Sequence, residues 1–259
     1  MTVQHVHTWG TVIVLDIRDP QADPARVDRA CQAAAAELER IDAWFSTYRE
    51  DSVVTAIRRA RVTHDTAPVP VREVIDACAA ATRLTRGAFD PWQGGSARDP
   101  GLFDPSGYVK GWGADRAAEI LLDHGLKNVS INAAGDVTCR GEAEPGQGGW
   151  RIGVSDPRDR MQVITSALVT DAHLATSARY ERGNHHWDPV TGEPAASVDS
   201  ASVLTRDGGL ADALSTALMV TGPAGLSMVP EDCSAYVVAG GTVWTAGSAF
   251  VAPGVAAHP

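Results

Sequence analysis

Apolar residues recur along this chain in two rhythms, one near 3.6 residues and one of β-branched runs a few residues long. The clearest helical rhythm follows Asp23-Pro24, where Val27, Cys31, Ala34, Leu38, Ile41 and Phe45 return at steps of four and three. That spacing lays one apolar stripe along a helix, with Asp23 as N-cap and proline in the first turn. Shorter helices are predicted from Asp51-Ser52 to Arg59, from Val71 to Arg86 before Gly87, and from Lys110 to His124 before Gly125. A fifth runs over Gly208-Gly-Leu-Ala-Asp-Ala-Leu-Ser-Thr-Ala-Leu-Met-Val-Thr-Gly222, with glycines at both ends. Strands are predicted over Trp9–Ile17 and near 128–132, 136–140, 150–154, 161–170 and 201–205. A final pair, 234–239 and 242–246, reads as a hairpin around Gly240-Gly241. Residues 60–70 and 92–107 read as connections. The mixed order implies an α+β fold, with largely antiparallel sheets packed with helices. No linker separates independent units, so residues 1–259 are expected to form one domain or two intimately packed lobes.

Composition narrows the function class. Hydrophobic content is 44% and charged content 21%, values ordinary for a globular chain. Net charge is −10 and no basic patch is visible, which argues against nucleic acid as a partner. A chain this acidic that binds phosphates calls for a divalent cation to bridge them. The four cysteines, at 31, 78, 139 and 233, form no CxxC and suggest neither a zinc site nor a disulfide framework. No apolar run approaches the roughly 18 residues of a membrane span. The first residues carry neither a signal-peptide pattern nor a lipid-attachment cysteine, so a cytoplasmic location is expected unless an export signal was trimmed.

Four stretches carry candidate chemistry. Asp212 and Thr216 lie four apart on the fifth helix, so their oxygens project from one face. Near a glycine-rich helix start they can hold a hard cation beside a phosphate, or serve as an exposed first-turn acid and a back-bonding threonine. Lys110, between glycines at a loop-to-helix junction, suits anion capture or simple exposure. Ser130-Ile-Asn-Ala-Ala-Gly-Asp-Val137 offers Asn132 and Asp136 beside small residues, or an Asx hairpin turn. His185 and His186, before Asp188-Pro189, put imidazole near a carboxylate, as general-base work requires, or decorate a surface turn.

Taken in order, these pieces resemble a known family. The motifs are Gly10-Thr11, Phe45-Ser-Thr-Tyr with Asp51-Ser52, Gly87-Ala-Phe-Asp-Pro91, Asp104 to Gly107-Tyr-Val-Lys-Gly111 with Asp115, and Asn132-Ala-Ala-Gly-Asp136. Thr176-Ser177 with Tyr180-Glu-Arg182, His185-His-Trp-Asp-Pro-Val-Thr-Gly192 and Ala211-Asp-Ala-Leu-Ser-Thr216 complete the set. The order resembles the ApbE family of FAD:protein FMN transferases, over about residues 8 to 248. The resemblance implies magnesium held by Asp212 and Thr216, with the backbone carbonyl of Gly107 and that of Ser215 as further donors. It implies FAD as substrate, met by Ser46, Arg58, Asp104, Lys110, Asn132, Asp136, Thr176 and Ser177. It also implies that His185 removes the proton from an acceptor threonine of a target flavoprotein, releasing AMP.

The chain departs from the family pattern at several places. Arg58 stands where asparagine is frequent, at a position linked to the balance between binding, transfer and hydrolysis of FAD. Ala178 and Ala134 replace glycines, Asp104-Pro-Ser-Gly107 replaces a more regular turn, and Trp9 replaces a methionine. Two alternatives therefore stand beside transfer: an FAD pyrophosphatase giving AMP and FMN, and a protein that binds FAD without turnover.

Overall fold

The computed structural model describes residues 1–92, 102–179 and 198–251. Strands β1 (Thr2–Thr8) and β2 (Thr11–Ile17) form an antiparallel hairpin. The strand expected to open at Trp9 begins with a turn instead: Trp9 and Gly10 have φ of 56° and 68°. Positive φ at both central residues matches the twist of two-residue hairpins. Trp9 tolerates it because its indole Nε1 donates to the Leu38 carbonyl at 3.0 Å. Strand β1 escapes sequence detection because none of its residues is deeply buried.

Helices α1 (Pro24–Phe45), α2 (Val53–Arg58), α3 (Val69–Leu84) and α4 (Ser106–Asp123) follow. Asp23 caps α1 by accepting from the Ala25 amide, and every apolar residue of the expected stripe is buried. Next come β3 (Val129–Ala133), β4 (Asp136–Arg140), β5 (Trp150–Ser155), β6 (Val163–Val169), β7 (Ala172–Ala178) and β8 (Ser200–Thr205). Helix α5 (Gly208–Thr221) precedes β9 (Ser234–Ala239), β10 (Thr242–Ala246) and β11 (Phe250–Val251). Strand β7 was not expected. Its sequence, Ala-His-Leu-Ala-Thr-Ser-Ala, carries too few large apolar residues to register as a strand.

Eight strands pair in the order β1-β2-β3-β4-β7-β8-β9-β10, and three more in the order β11-β6-β5. Every pairing among the described residues is antiparallel, as the α+β expectation required. Side chains alternate across each strand, so the large sheet has two distinct faces. Val137, Cys139, Ala172 and Leu174 point one way and pack with Trp150, Val154 and Val169 of the small sheet. Ile13, Leu15 and Ile17 point the other way, onto α1 and α4. Further along that face, Ala175, Ala201, Val203 and Val237 meet Ala211, Leu214 and Leu218 of α5. The result is three layers: small sheet, large sheet, helices.

Helices α4 and α5 cross with almost nothing between them. A Cβ on Gly111 would overlap the Gly208 carbonyl, and one on Gly208 would overlap the Gly111 carbonyl. A Cβ on Gly209 would strike the Tyr108 ring. Neighbouring backbone cannot retreat as a flexible side chain can. Gly111→Ala should therefore cost about 3 kcal/mol of stability. Urea denaturation checks this; a loss under about 0.5 kcal/mol, the range of an ordinary surface substitution, would contradict the crossing.

Candidate active site at a helix crossing

Helix α5 is apolar nearly all round and buried, so Asp212, in its second turn, is carried into the interior at 2% exposure. One oxygen, Oδ1, lies 3.7 Å from Lys110 Nζ. The other, Oδ2, has no hydrogen-bond partner among the described residues. Burial is the main force on this carboxyl and pushes its pKa up to about 7, against the opposing pull of Lys110. An unpartnered buried oxygen is costly and marks a place where a ligand can complete the site.

Lys110 pairs closely with Asp136, which is 1% exposed on its side chain. Asp136 also accepts from the Thr176 amide at 2.9 Å through Oδ1. Lys110 was expected at a loop-to-helix junction, but α4 begins at Ser106, a turn earlier. The start is disguised because Gly107 departs from helical angles (φ −81°, ψ 19°). A Cβ on Gly107 would lie 3.0 Å from Thr216 Oγ1, so these two proposed donors are neighbours.

The start of α5 is closed to anions. The Asp207 side chain accepts from the Leu210 amide at 2.9 Å, and Asp115 Oδ2 accepts from the Gly208 amide at 2.7 Å. Two carboxylates thus occupy the helix end that the glycines had suggested for a phosphate. Asp115 Oδ1 accepts from Arg140 Nη2 at 3.0 Å and from Thr138 Oγ1 at 3.1 Å. With its only proton given to Asp115, Thr138 accepts from His173 Nδ1 at 2.6 Å. His173 is fully buried, and burial holds its pKa below the usual histidine range, so the ring is neutral. Thr138, Arg140 and His173 carry no sequence signal as a group; only the β4–β7 register brings Thr138 opposite His173.

Strand β7 braces the site from below. Ser215 Oγ donates to the Asp212 carbonyl at 2.9 Å, and Ser177 meets Ser215 at 2.8 Å. Thr176 Oγ1 lies 2.9 Å from Ser202 Oγ. Asn132 stays on the surface and accepts from the Gly135 amide at 2.9 Å, closing the β3–β4 hairpin at Ala134 and Gly135. The structure therefore brings together Lys110, Asp136, Asp212, Thr216, Gly107, Ser215, Thr176 and Ser177. His185 and His186 lie outside the described residues.

A second feature flanks the α4 start. A cavity of about 340 Å³ is lined by Thr47, Tyr48, Arg49, Thr55, Arg58 and Leu102, among others. Arg58 Nε donates to the Phe103 carbonyl at 2.7 Å, and its guanidinium lies 3.8 Å from Asp104. Asp104 accepts from the Ser106 amide at 3.0 Å, so Arg58 is tied to the segment that opens α4. Ser46 ends α1, its amide donating to Asp42, next to this cavity.

Among the described residues, no group of three or more His, Cys, Asp and Glu side chains is placed to hold a metal. The donors here are of another kind: one buried carboxylate, a hydroxyl and backbone oxygens. That set fits a hard cation, which keeps water and takes phosphate oxygens from its ligand. No helix among the described residues is long and apolar enough to cross a membrane.

The fold itself, a small sheet and a large antiparallel sheet covered by helices, has counterparts among solved structures. The flavin transferase ApbE from Vibrio cholerae superposes with a TM-score of 0.80 at 21% identity, over 95% of this chain and 96% of that one. The ApbE protein from Thermotoga maritima gives 0.76 at 25% identity, over 95% and 96%. The family model described as ApbE family matches residues 9–98 and 92–238. This chain belongs to the ApbE family.

Sequence relatives agree. A Rhodobacter capsulatus protein named FAD:protein FMN transferase is 35% identical over 127 residues, which is 46% of this chain and 24% of that protein. A Klebsiella pneumoniae protein of the same name is 25% identical over 285 residues, 86% of this chain and 79% of that protein. The match to the Rhodobacter capsulatus relative spans about a quarter of its length.

The buried carboxyl has a measurable signature. Its unfolded value is 3.8 and its folded value is higher, so the native state binds the proton more tightly than the unfolded chain. Asp212 therefore subtracts stability progressively as pH rises between those values, and by a constant amount above them. In EDTA, Asp212→Asn should match the parent near pH 4 and melt at a higher temperature at pH 8. A lower melting temperature for the variant at pH 8 would contradict this environment for Asp212.

Proposed function

We propose that this chain is a magnesium-dependent FAD:protein FMN transferase. It moves FMN from FAD to a threonine hydroxyl of a flavoprotein and releases AMP. The observation that carries the reading is the buried Asp212 carboxylate, with one unpartnered oxygen, at the helix crossing beside Thr216 and Gly107. Its relatives' shared name, FAD:protein FMN transferase, supports the same reaction.

The residues divide the work. Asp212, Thr216 and the backbone carbonyls of Gly107 and Ser215 would hold magnesium, which supplies charge neutralisation at the FAD pyrophosphate. Lys110 adds a second positive charge in reach of the phosphates, since 29% of its side chain is exposed. Asp136 and Thr176 keep that lysine aimed at the site. Tyr48 and the arginine-lined cavity beside Ser46 offer a place for a flat ring and its polar edge. Arg58, held by Phe103 and Asp104, lines this wall.

In the reaction the threonine oxygen bonds to the FMN-side phosphorus, the bridging P–O bond to AMP breaks, and the threonine proton passes to a base. By resemblance that base is His185. Phosphoryl transfer of this kind depends on positioning and charge more than on covalent chemistry, which suits a rigid, buried cluster.

Incubation of the purified protein with FAD, magnesium and a threonine-bearing flavoprotein tests the reading. The acceptor should gain the mass of one FMN, and AMP should appear in equal amount. AMP with free FMN and an unmodified acceptor would make the protein a pyrophosphatase, and intact FAD would make it a carrier. His185→Ala should slow transfer by about 100-fold or more. If His186→Ala does so and His185→Ala does not, the base is misassigned.

A further inference from the structure

The contact between Lys110 and both carboxylates has a consequence for the order in which ligands bind, and it rests on the site reading above. Lys110 Nζ pairs with Asp136 and lies 3.7 Å from Asp212 Oδ1. The lysine grows from α4 and Asp212 from α5, two helices locked backbone to backbone at Gly111 and Gly208. With the helices packed this closely, rotation of its own side chain is the short route by which the ammonium can leave Asp212. Its partners Asp136 and Asp212 are 1% and 3% exposed on their side chains, so water screens the three charges weakly.

We propose that Lys110 is a tethered counter-cation. It keeps a divalent metal weakly bound at Asp212 until the pyrophosphate of a dinucleotide arrives. With both carboxylates ionised, the cluster carries two negative charges against one positive. A divalent metal entering alone meets a site already half neutralised and a like charge within a few ångströms. A pyrophosphate entering alone meets the ammonium but also two carboxylates. Together, metal and pyrophosphate cancel each other's charge, and the lysine turns from repelling one ligand to attracting the other. Metal and nucleotide then tighten each other's binding by the same factor, as linkage requires. The benefit is that neither binds strongly without its partner, so an unproductive metal complex does not accumulate.

The same charge count separates Lys110 from a merely structural lysine. A structural residue, once removed, weakens every ligand; a counter-cation, once removed, strengthens one of them. Manganese(II) serves as the probe, because its free and bound forms are distinguished by electron paramagnetic resonance in the intact protein. In the parent protein, saturating FAD should tighten Mn²⁺ binding by about tenfold or more. Lys110→Met should tighten Mn²⁺ binding without nucleotide by about tenfold and weaken metal-free FAD binding. Lys110→Arg, which keeps the charge, should behave as the parent does.

Unchanged or weaker nucleotide-free Mn²⁺ affinity in Lys110→Met would overturn the proposal. So would the absence of any effect of FAD on Mn²⁺ affinity in the parent protein, an arm that needs no variant to fold. Asp212→Ala separates the metal site from the role of the lysine. If Mn²⁺ binds as before without Asp212, the metal site itself is wrong. If binding needs Asp212 but ignores Lys110, only the counter-cation falls.

Discussion

Backbone meets backbone where α4 crosses α5, because Gly111 and Gly208 put no Cβ between the two helices. That approach sets the distance between a lysine on one helix and a carboxylate on the other. A separation larger by a single methyl group would leave Lys110 with Asp136 but draw it away from Asp212, whose buried charge would then be costly to keep. The crossing is fixed from the sheet side as well. Asp115 on α4 takes the first amide of α5 and two donors of β4, so helix, helix and sheet meet on one carboxylate.

This construction explains why charge can sit so deep in the chain. Asp136 is satisfied by Lys110 and by the Thr176 amide, and Asp115 by Arg140, Thr138 and Gly208. Of these three carboxylates, Asp212 alone keeps an oxygen without a partner among the described residues. The surrounding network therefore provides rigidity, and the unpartnered Asp212 oxygen offers the opening for chemistry. Functional sites are where such local costs persist while the rest of the fold compensates.

Much of this was legible in the sequence where one residue pattern decides one element. The α1 stripe, the α5 run between glycines and the Gly240-Gly241 hairpin all form as expected. The motif pairing of Asp212 with Thr216 placed two proposed metal donors on one helix face. What stayed hidden depends on register and close approach. Strand β1 buries too little, and β7 is built from residues too small, for either to announce itself. The irregular Gly107 disguised the first turn of α4, so Lys110 read as a junction residue. The α5 start read as open to phosphate because nothing in the sequence tells that Asp115, 93 positions away, occupies it. His173 could not be tied to Thr138 before strand pairing was known.

In the proposed reaction Asp212 and the FAD pyrophosphate share one divalent ion at this crossing. Pulsed electron–nuclear double resonance on the complex with Mn²⁺ and FAD reads that contact directly, through the coupling of manganese to phosphorus. A resolved phosphorus coupling is expected in the parent protein, and its loss in Asp212→Ala. Manganese bound with no phosphorus coupling, or the same coupling without Asp212, would contradict it.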